Sequence, residues 1–399
     1  MANNIKDYIL WRGDIPLEVS PLNEVDNLIL SQLSYALWNG VVSSSFDERL
    51  TLSEAIERFF ALGKEQIQKT DGYFSSAELI ELMALLRDSR RFLEMRICGF
   101  VDDTDVESEQ QFSAVTILTD EETAYVSYRG TDGSMVGWKE DFNMSFMYTV
   151  PSQNMAISYL HDVMVALEGV KVYVGGHSKG GNLAIYASAF IPAVLQPRIL
   201  AVYNNDGPGL MKTVTEMDGY QRIKDRIRTF VPQSSVIGMI LEHEDDFEVV
   251  HSSQISLYQH SAFSWNVLGT QFVHAKKIGR NSLALNKAFR DWVSELDYED
   301  KQKFFGIIFD VIAAAGIETT SDLKANKLKG SYMLIKNYNA MNAEDKKLLK
   351  EGFRYFLASV GSDLFAPLPE ITQLFGQISG ADKQEEQNEN IFRNNDENL

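Results

Sequence analysis

The run KVYVGGHSKGGNLAIYASAF, residues 171–190, constrains this chain more than any other. A β-rich stretch leads without a spacer into a small-residue helical stretch, and Gly176 and Gly180 stand two positions either side of Ser178. A serine on so sharp a strand-to-helix turn takes strained backbone angles, and side chains two residues away would collide with neighbouring backbone. The pattern predicts an elbow, formed by Gly176, His177 and Gly180, that lifts the Ser178 hydroxyl above the carboxyl edge of a sheet. The helix that starts there offers unpaired amides and a dipole favouring negative charge, so the Lys179 N–H is a first donor to a developing oxyanion. His177 beside the serine is expected to shape the pocket. A phosphate loop is set aside because Lys179 precedes its glycines rather than following them. The plainer alternative is a glycine-rich turn that only lets helix and strand pack closely.

The flanking sequence supplies the sheet that such an elbow needs. FSAVTILT and TAYVSYRG read as adjacent strands from Phe112 onward, and RILAVYNN, RTFVP and FEVVHS continue the alternation of strand and helix to about residue 252. This is the signature of an α/β fold with a mostly parallel central sheet flanked by helices. The division expected is an N-terminal helical segment (1–110) packed on the core, an α/β core (111–280), a C-terminal helical extension (281–380) and an acidic tail (381–399). Thr51 with Glu54, and Ser75 with Glu78, have capping-box spacing in the first segment. Asn342 is an expected helix N-cap in the third, and Gly316 and Gly361 are expected terminators. The tail is too polar to offset the entropy of ordering.

Composition narrows the function classes. With 37 basic and 56 acidic side chains the net charge is −19, which argues against nucleic-acid binding and against adsorption to anionic lipid surfaces. Cys98 is the only cysteine, so a disulfide framework and a multi-thiolate metal site are excluded. The start of the chain lacks a basic segment followed by a long apolar one, and the apolar run 304–316 is short and carries Asp310. No transmembrane segment is expected, and the cytoplasm is the expected location. Six histidines without ligand spacing give no support for a metal, and no cofactor is required. Sequence does not define the oligomeric state.

A second oxyanion donor must come from another loop at the same sheet edge. The second strand of the 112–130 pair ends in YRGTD, where Gly130 permits close backbone approach and the Thr131 amide is well placed to donate. Arg129 and Asp132 can hold that loop by an ion pair. YRGT, then Trp138 and Asp141 in GWKEDF, then GHSKGGNLA, then GPG after the next strand, together resemble the class 3, fungal-type lipase branch of the α/β-hydrolases. More narrowly the chain is similar to the bacterial Mbeg-like family of lipase-like proteins, over roughly residues 20–280. The resemblance implies an α/β-hydrolase fold, a Ser/Asp/His triad and a small-molecule or lipid ester as substrate.

In that fold the histidine follows serine and acid. His260, in the loop beyond the last strand, is favoured as general base, with His251 as runner-up. His161 lies before the elbow in a helical stretch, and His243 and His274 suit solvated surface roles. The acid is less simply placed, because the class 3 pattern expects it after RTFVP, where Ser235 stands as a possible replacement. Asp206, at the end of the preceding strand, is the favoured carboxylate, and Asp245 and Asp246 are weaker candidates. A structural turn at Asn205-Asp206-Gly207 is the alternative role for that aspartate. The expectation is a serine hydrolase working through an acyl-enzyme. The runner-up is a catalytically weak hydrolase-fold protein that binds lipid or a protein partner.

Overall fold

The computed structural model describes residues 3–62, 76–144, 146–235, 237–239, 247–279, 297–314 and 341–350. Among these residues eight strands form one sheet in sequential order. They are β1 (Leu50–Thr51), β2 (Arg96–Asp105), β3 (Gln110–Leu118), β4 (Thr123–Tyr128), β5 (Lys171–His177), β6 (Ile199–Asn205), β7 (Ile227–Pro232) and β8 (Phe247–Val250). β1 to β4 pair antiparallel, and β4 to β8 pair parallel. A separate two-stranded ribbon joins β9 (Val267–Leu268) and β10 (Gln271–Phe272). The α/β class is thus as expected.

The sheet begins earlier than the Phe112 boundary read from sequence. β1 and β2 were missed because β2 breaks the strand pattern: Gly99 takes a φ of 65° beside a register shift, and Asp102–Asp105 carries no apolar alternation. Thr51 and Glu54 do form the capping box, in which Thr51 Oγ1 accepts the Glu54 N–H and Glu54 accepts the Thr51 N–H. Ser75 lies outside the described residues.

The helices divide between the two faces for a topological reason. A right-handed crossover between neighbouring parallel strands places its helix on one side, and a strand order that advances in one direction keeps every such helix on that side. α1 (Ile5–Arg12), α2 (Glu24–Gln32), α3 (Leu52–Phe60) and α4 (Ser76–Arg87) precede the parallel strands, and α5 (Met135–Asn143) follows β4. The crossover helices are α6 (Pro151–Ala166), α7 (Lys179–Phe190) and, after the short α8 (Lys212–Thr215), α9 (Asp218–Ile223). Leu160 and Val163 of α6, Leu183 of α7 and Ile223 of α9 share one apolar cluster with Ala124, Val126, Val174 and Val202 of the sheet. The alternate strand residues Val115, Ile117, Tyr125 and Tyr203 join Ile5, Leu28, Ile56 and Leu82 of α1 to α4 in a second cluster. The period-two alternation of strand side chains therefore separates two cores.

The chain divides into two compact units, Met1–Leu283 and Ala284–Leu399. The second contains α10 (Tyr298–Ala314) and helical residues 343–350. Asn342 Oδ1 accepts the Asp345 N–H at 2.8 Å, the cap expected there, and Lys303 Nζ lies 3.0 Å from both Glu344 and Asp345. Much of the expected 281–380 helical extension, with Gly316 and Gly361, and the 381–399 tail lie outside the described residues. Among the described residues, no helix is long and apolar enough to cross a membrane.

Candidate active site

The elbow sits where β5 runs into α7. Ser178 has φ 57° and ψ −135°, a left-handed conformation that L-residues resist, and its amide donates to Asn205 O at 3.0 Å. Both predicted glycines are sterically required. A Cβ on Gly180 would lie 2.1 Å from Tyr128 O, and one on Gly176 would lie 2.3 Å from the Gly180 carbonyl carbon. Lys179 opens α7, so its N–H belongs to the first turn, where a helix has no internal acceptor.

The Lys179 side chain has a different task from its amide. It is buried, and its Nζ donates to Gln111 O at 2.7 Å, Gln111 Oε1 at 2.8 Å and Glu140 Oε2 at 2.9 Å. Glu140 on α5 also accepts the amides of Gln111 and Ser152. This buried ion pair ties the elbow to β3 and to the start of α6, and removing one partner would strand a charge.

The loop after β4 approaches the serine directly. A Cβ on Gly130 would lie 2.5 Å from His177 O and 2.9 Å from Ser178 Cβ. Arg129 holds this loop through Asp102 at 2.7 Å and, as expected, Asp132 at 3.5 Å. Thr131 Oγ1 donates to Asp141 Oδ2 at 2.5 Å, so helix α5 orients the residue whose amide was singled out from sequence. Burial pushes the Asp141 carboxyl up to about 7, against the pull of Lys179 and the Thr131 hydroxyl.

Asp206 and His260 come together as the favoured reading requires. His260 Nδ1 lies 2.6 Å from Asp206 Oδ2, and Ser235 Oγ donates to Asp206 Oδ1 at 2.5 Å. Ser235 thus donates to Asp206 and makes no hydrogen bond to His260 among these contacts. The turn at Asn205-Asp206-Gly207 is present and is closed by Asn204, whose Oδ1 accepts the Gly207 N–H, while the Asp206 carboxylate meets the imidazole. Asp206 itself has a φ of 54°, and a Cβ on Gly238 would fall 2.2 Å from its Oδ1. That close approach lets the Gly238 amide donate to the carboxylate.

Exposure falls from 9% at Ser178 to 7% at His260 and 0% at Asp206, so the acid is the most desolvated of the three. Burial pushes the Asp206 carboxyl up to about 8, opposed by the Ser235 hydroxyl and the Gly238 amide, and pushes His260 down to about 3. His251 is exposed and His161 lies on the open surface of α6, whereas His274 sits between Glu24 and Glu248. His243, Asp245 and Asp246 lie outside the described residues. The contribution missed from sequence is Tyr35, whose hydroxyl lies 3.0 Å from His177 Nδ1. A separation of 142 residues left no local signal for it.

Comparison with known proteins finds one family: the Mbeg1-like profile matches residues 86–310, more than half of the chain. No curated protein matches it.

Proposed function

We propose that this chain, which belongs to the Mbeg1-like family, is a serine hydrolase of the α/β-hydrolase type that cleaves a carboxylic ester, an acyl-lipid or a smaller acyl ester. The observation carrying this reading is the 2.6 Å contact between His260 and a buried Asp206, with the His260 ring 4.5 Å from that of His177 on the serine elbow. With Nδ1 held by the carboxylate, Nε2 is the ring nitrogen that takes the serine proton.

Ser178 Oγ bonds to the ester carbonyl carbon as its proton passes to His260, and Asp206 stabilises the imidazolium. The amides of Thr131 and Lys179 receive the oxyanion. The carbon–oxygen bond to the alcohol then breaks, and that alcohol leaves with the proton from His260. Water repeats the sequence on the acyl-enzyme, releasing the acid and restoring the serine. The YRGT and GHSKGG motifs liken the chain to the fungal-type, class 3 lipase branch. The second reading, a binding protein without turnover, drew on the absence of an acid at Ser235, and the Asp206–His260 contact weighs against it. A cytoplasmic location belongs to the same proposal and draws on the single, buried, free Cys98.

A fluorophosphonate probe tests the proposal. The wild-type chain should be labelled and Ser178→Ala should not. A folded wild-type chain that stays unlabelled would sink the enzymatic reading in favour of the binding one.

A further inference from the structure

Tyr35 ends the 3₁₀ turn Leu33–Tyr35 that follows α2. The proposed reaction makes no use of it, yet its hydroxyl stands where three walls of the site meet. It lies 3.0 Å from His177 Nδ1 and 3.3 Å from His177 O, and it accepts the Gly130 N–H. A Cβ on Gly130 would fall 2.2 Å from this oxygen, so the contact exists only because that residue is glycine. On its other side, His177 Nε2 lies 2.7 Å from the backbone carbonyl of His260, with the two rings 4.5 Å apart.

The protons in this chain follow from the partners. A carbonyl only accepts, so His177 Nε2 carries a hydrogen. Burial keeps the ring neutral, which leaves Nδ1 as a lone pair. The remaining partner of Nδ1 is the Tyr35 hydroxyl, whose single hydrogen has two acceptors in reach, Nδ1 at 3.0 Å and His177 O at 3.3 Å, and the shorter contact favours Nδ1.

We infer that Tyr35 is a positioning residue: its hydroxyl fixes the tautomer of His177 and, through it, holds the oxyanion loop at Gly130, the elbow and the backbone of His260 in one spacing. This rests on the serine-hydrolase reading, because the groups so spaced are its donors and its base. Tyr35 acts through His177 and Gly130, and its loss should slow the covalent step rather than weaken probe binding.

The experiment has two arms. In wild type, imidazole ¹⁵N spectra should show His177 as the Nε2–H tautomer with a hydrogen-bonded Nδ1, and Tyr35→Phe should move the Nδ1 resonance toward an unbonded lone pair. In the second arm Tyr35→Phe should lower the maximal rate of fluorophosphonate labelling roughly tenfold to a hundredfold, the scale of a small misplacement of reacting groups, with the probe's affinity little changed. His177→Gln can still accept from Tyr35 and donate to His260, so it should label faster than His177→Leu. Adding Tyr35→Phe to His177→Leu should cost less than Tyr35→Phe costs alone, the remainder being its direct contact with the Gly130 amide.

Wild-type labelling with an unaltered Tyr35→Phe rate overturns the inference, as does a wild-type His177 protonated at Nδ1. If the wild type is never labelled, the hydrolase reading falls, and the ¹⁵N arm alone decides the relay. Should Tyr35→Phe fail to fold, the wild-type tautomer and the His177 pair decide it.

Discussion

Replacing Asp206 with asparagine separates what the carboxylate does for catalysis from what it does to stability. The amide is nearly isosteric: its oxygen can keep the Ser235 hydroxyl and the Gly238 amide, while its NH₂ faces His260 Nδ1 in place of the carboxylate oxygen now at 2.6 Å. Burial pushes the acid from 3.8 up to about 8 in the fold. Because the folded value lies above the unfolded one, the stability contributed by this group is complete below pH about 4 and lost as pH rises through about 8. Asparagine does not titrate, so its advantage over wild type should grow by at most about 1.4 kcal/mol per pH unit between those limits. From about pH 5 to about pH 8 that sums to roughly 4 kcal/mol. Labelling of Ser178 should fall in the same variant on the order of 10⁴-fold, because an NH donor forces the His260 proton onto Nε2. Urea unfolding across this pH range, with labelling in parallel, reads both effects. A stability difference that stays flat with pH would refute the burial reasoning, and undiminished labelling would remove Asp206 as the acid.

Two further outcomes follow from the same site. The base-competent dyad, carboxylate with neutral imidazole, carries a net negative charge in a desolvated place. Its labelling rate should therefore climb as pH rises through about 8, with the acidic limb above the ordinary imidazole value near 6.5. A limb at or below that value contradicts the desolvation. Ser235→Asp restores the residue type expected in class 3 lipases, but it would set a second carboxylate where a hydroxyl now donates to Asp206 at 2.5 Å. It should slow labelling and destabilise the fold by about 3 to 5 kcal/mol near neutral pH, measured by urea unfolding. Faster labelling would mean that Ser235 marks a lost acid.

The elbow was legible because it needs glycine at fixed spacing: a Cβ on Gly176 would meet the Gly180 carbonyl, and one on Gly180 would meet the end of β4. The parallel strands announced themselves through apolar runs between helices. β2 did not, since half of it is exposed and acidic, and its alternation breaks at Gly99. The acid was legible only as a choice between Asp206 and Ser235. The structure brings Asp206, and not Ser235, to His260, through two backbone facts hidden from sequence: the φ of 54° at Asp206 and the capture of the turn by Asn204. The ordering of serine, acid and histidine left several histidines, and the loop position beyond the last strand favoured His260, whose partner is 54 residues away. Nothing marked Tyr35, because its role depends on a contact between the N-terminal layer and the elbow.

That contact follows from the strand order. With the crossover helices α6, α7 and α9 on one face, the other face of the parallel strands is closed by α1 to α4. Closing it puts polar groups of the early chain beneath the ends of β5 and β6. Asn27 on α2 donates to Asn205 Oδ1 at 2.9 Å and accepts from the Tyr125 hydroxyl at 2.7 Å, while Asn205 Nδ2 donates to Gly176 O at 3.1 Å. The strand ends carrying Ser178 and Asp206 are thus clasped from below by Asn27 and, at the elbow, by Tyr35. Both residues precede residue 86, where the family match begins. A segment that reads from sequence as packing helices therefore also sets the geometry of the site, and it does so because a one-sided sheet needs a second layer.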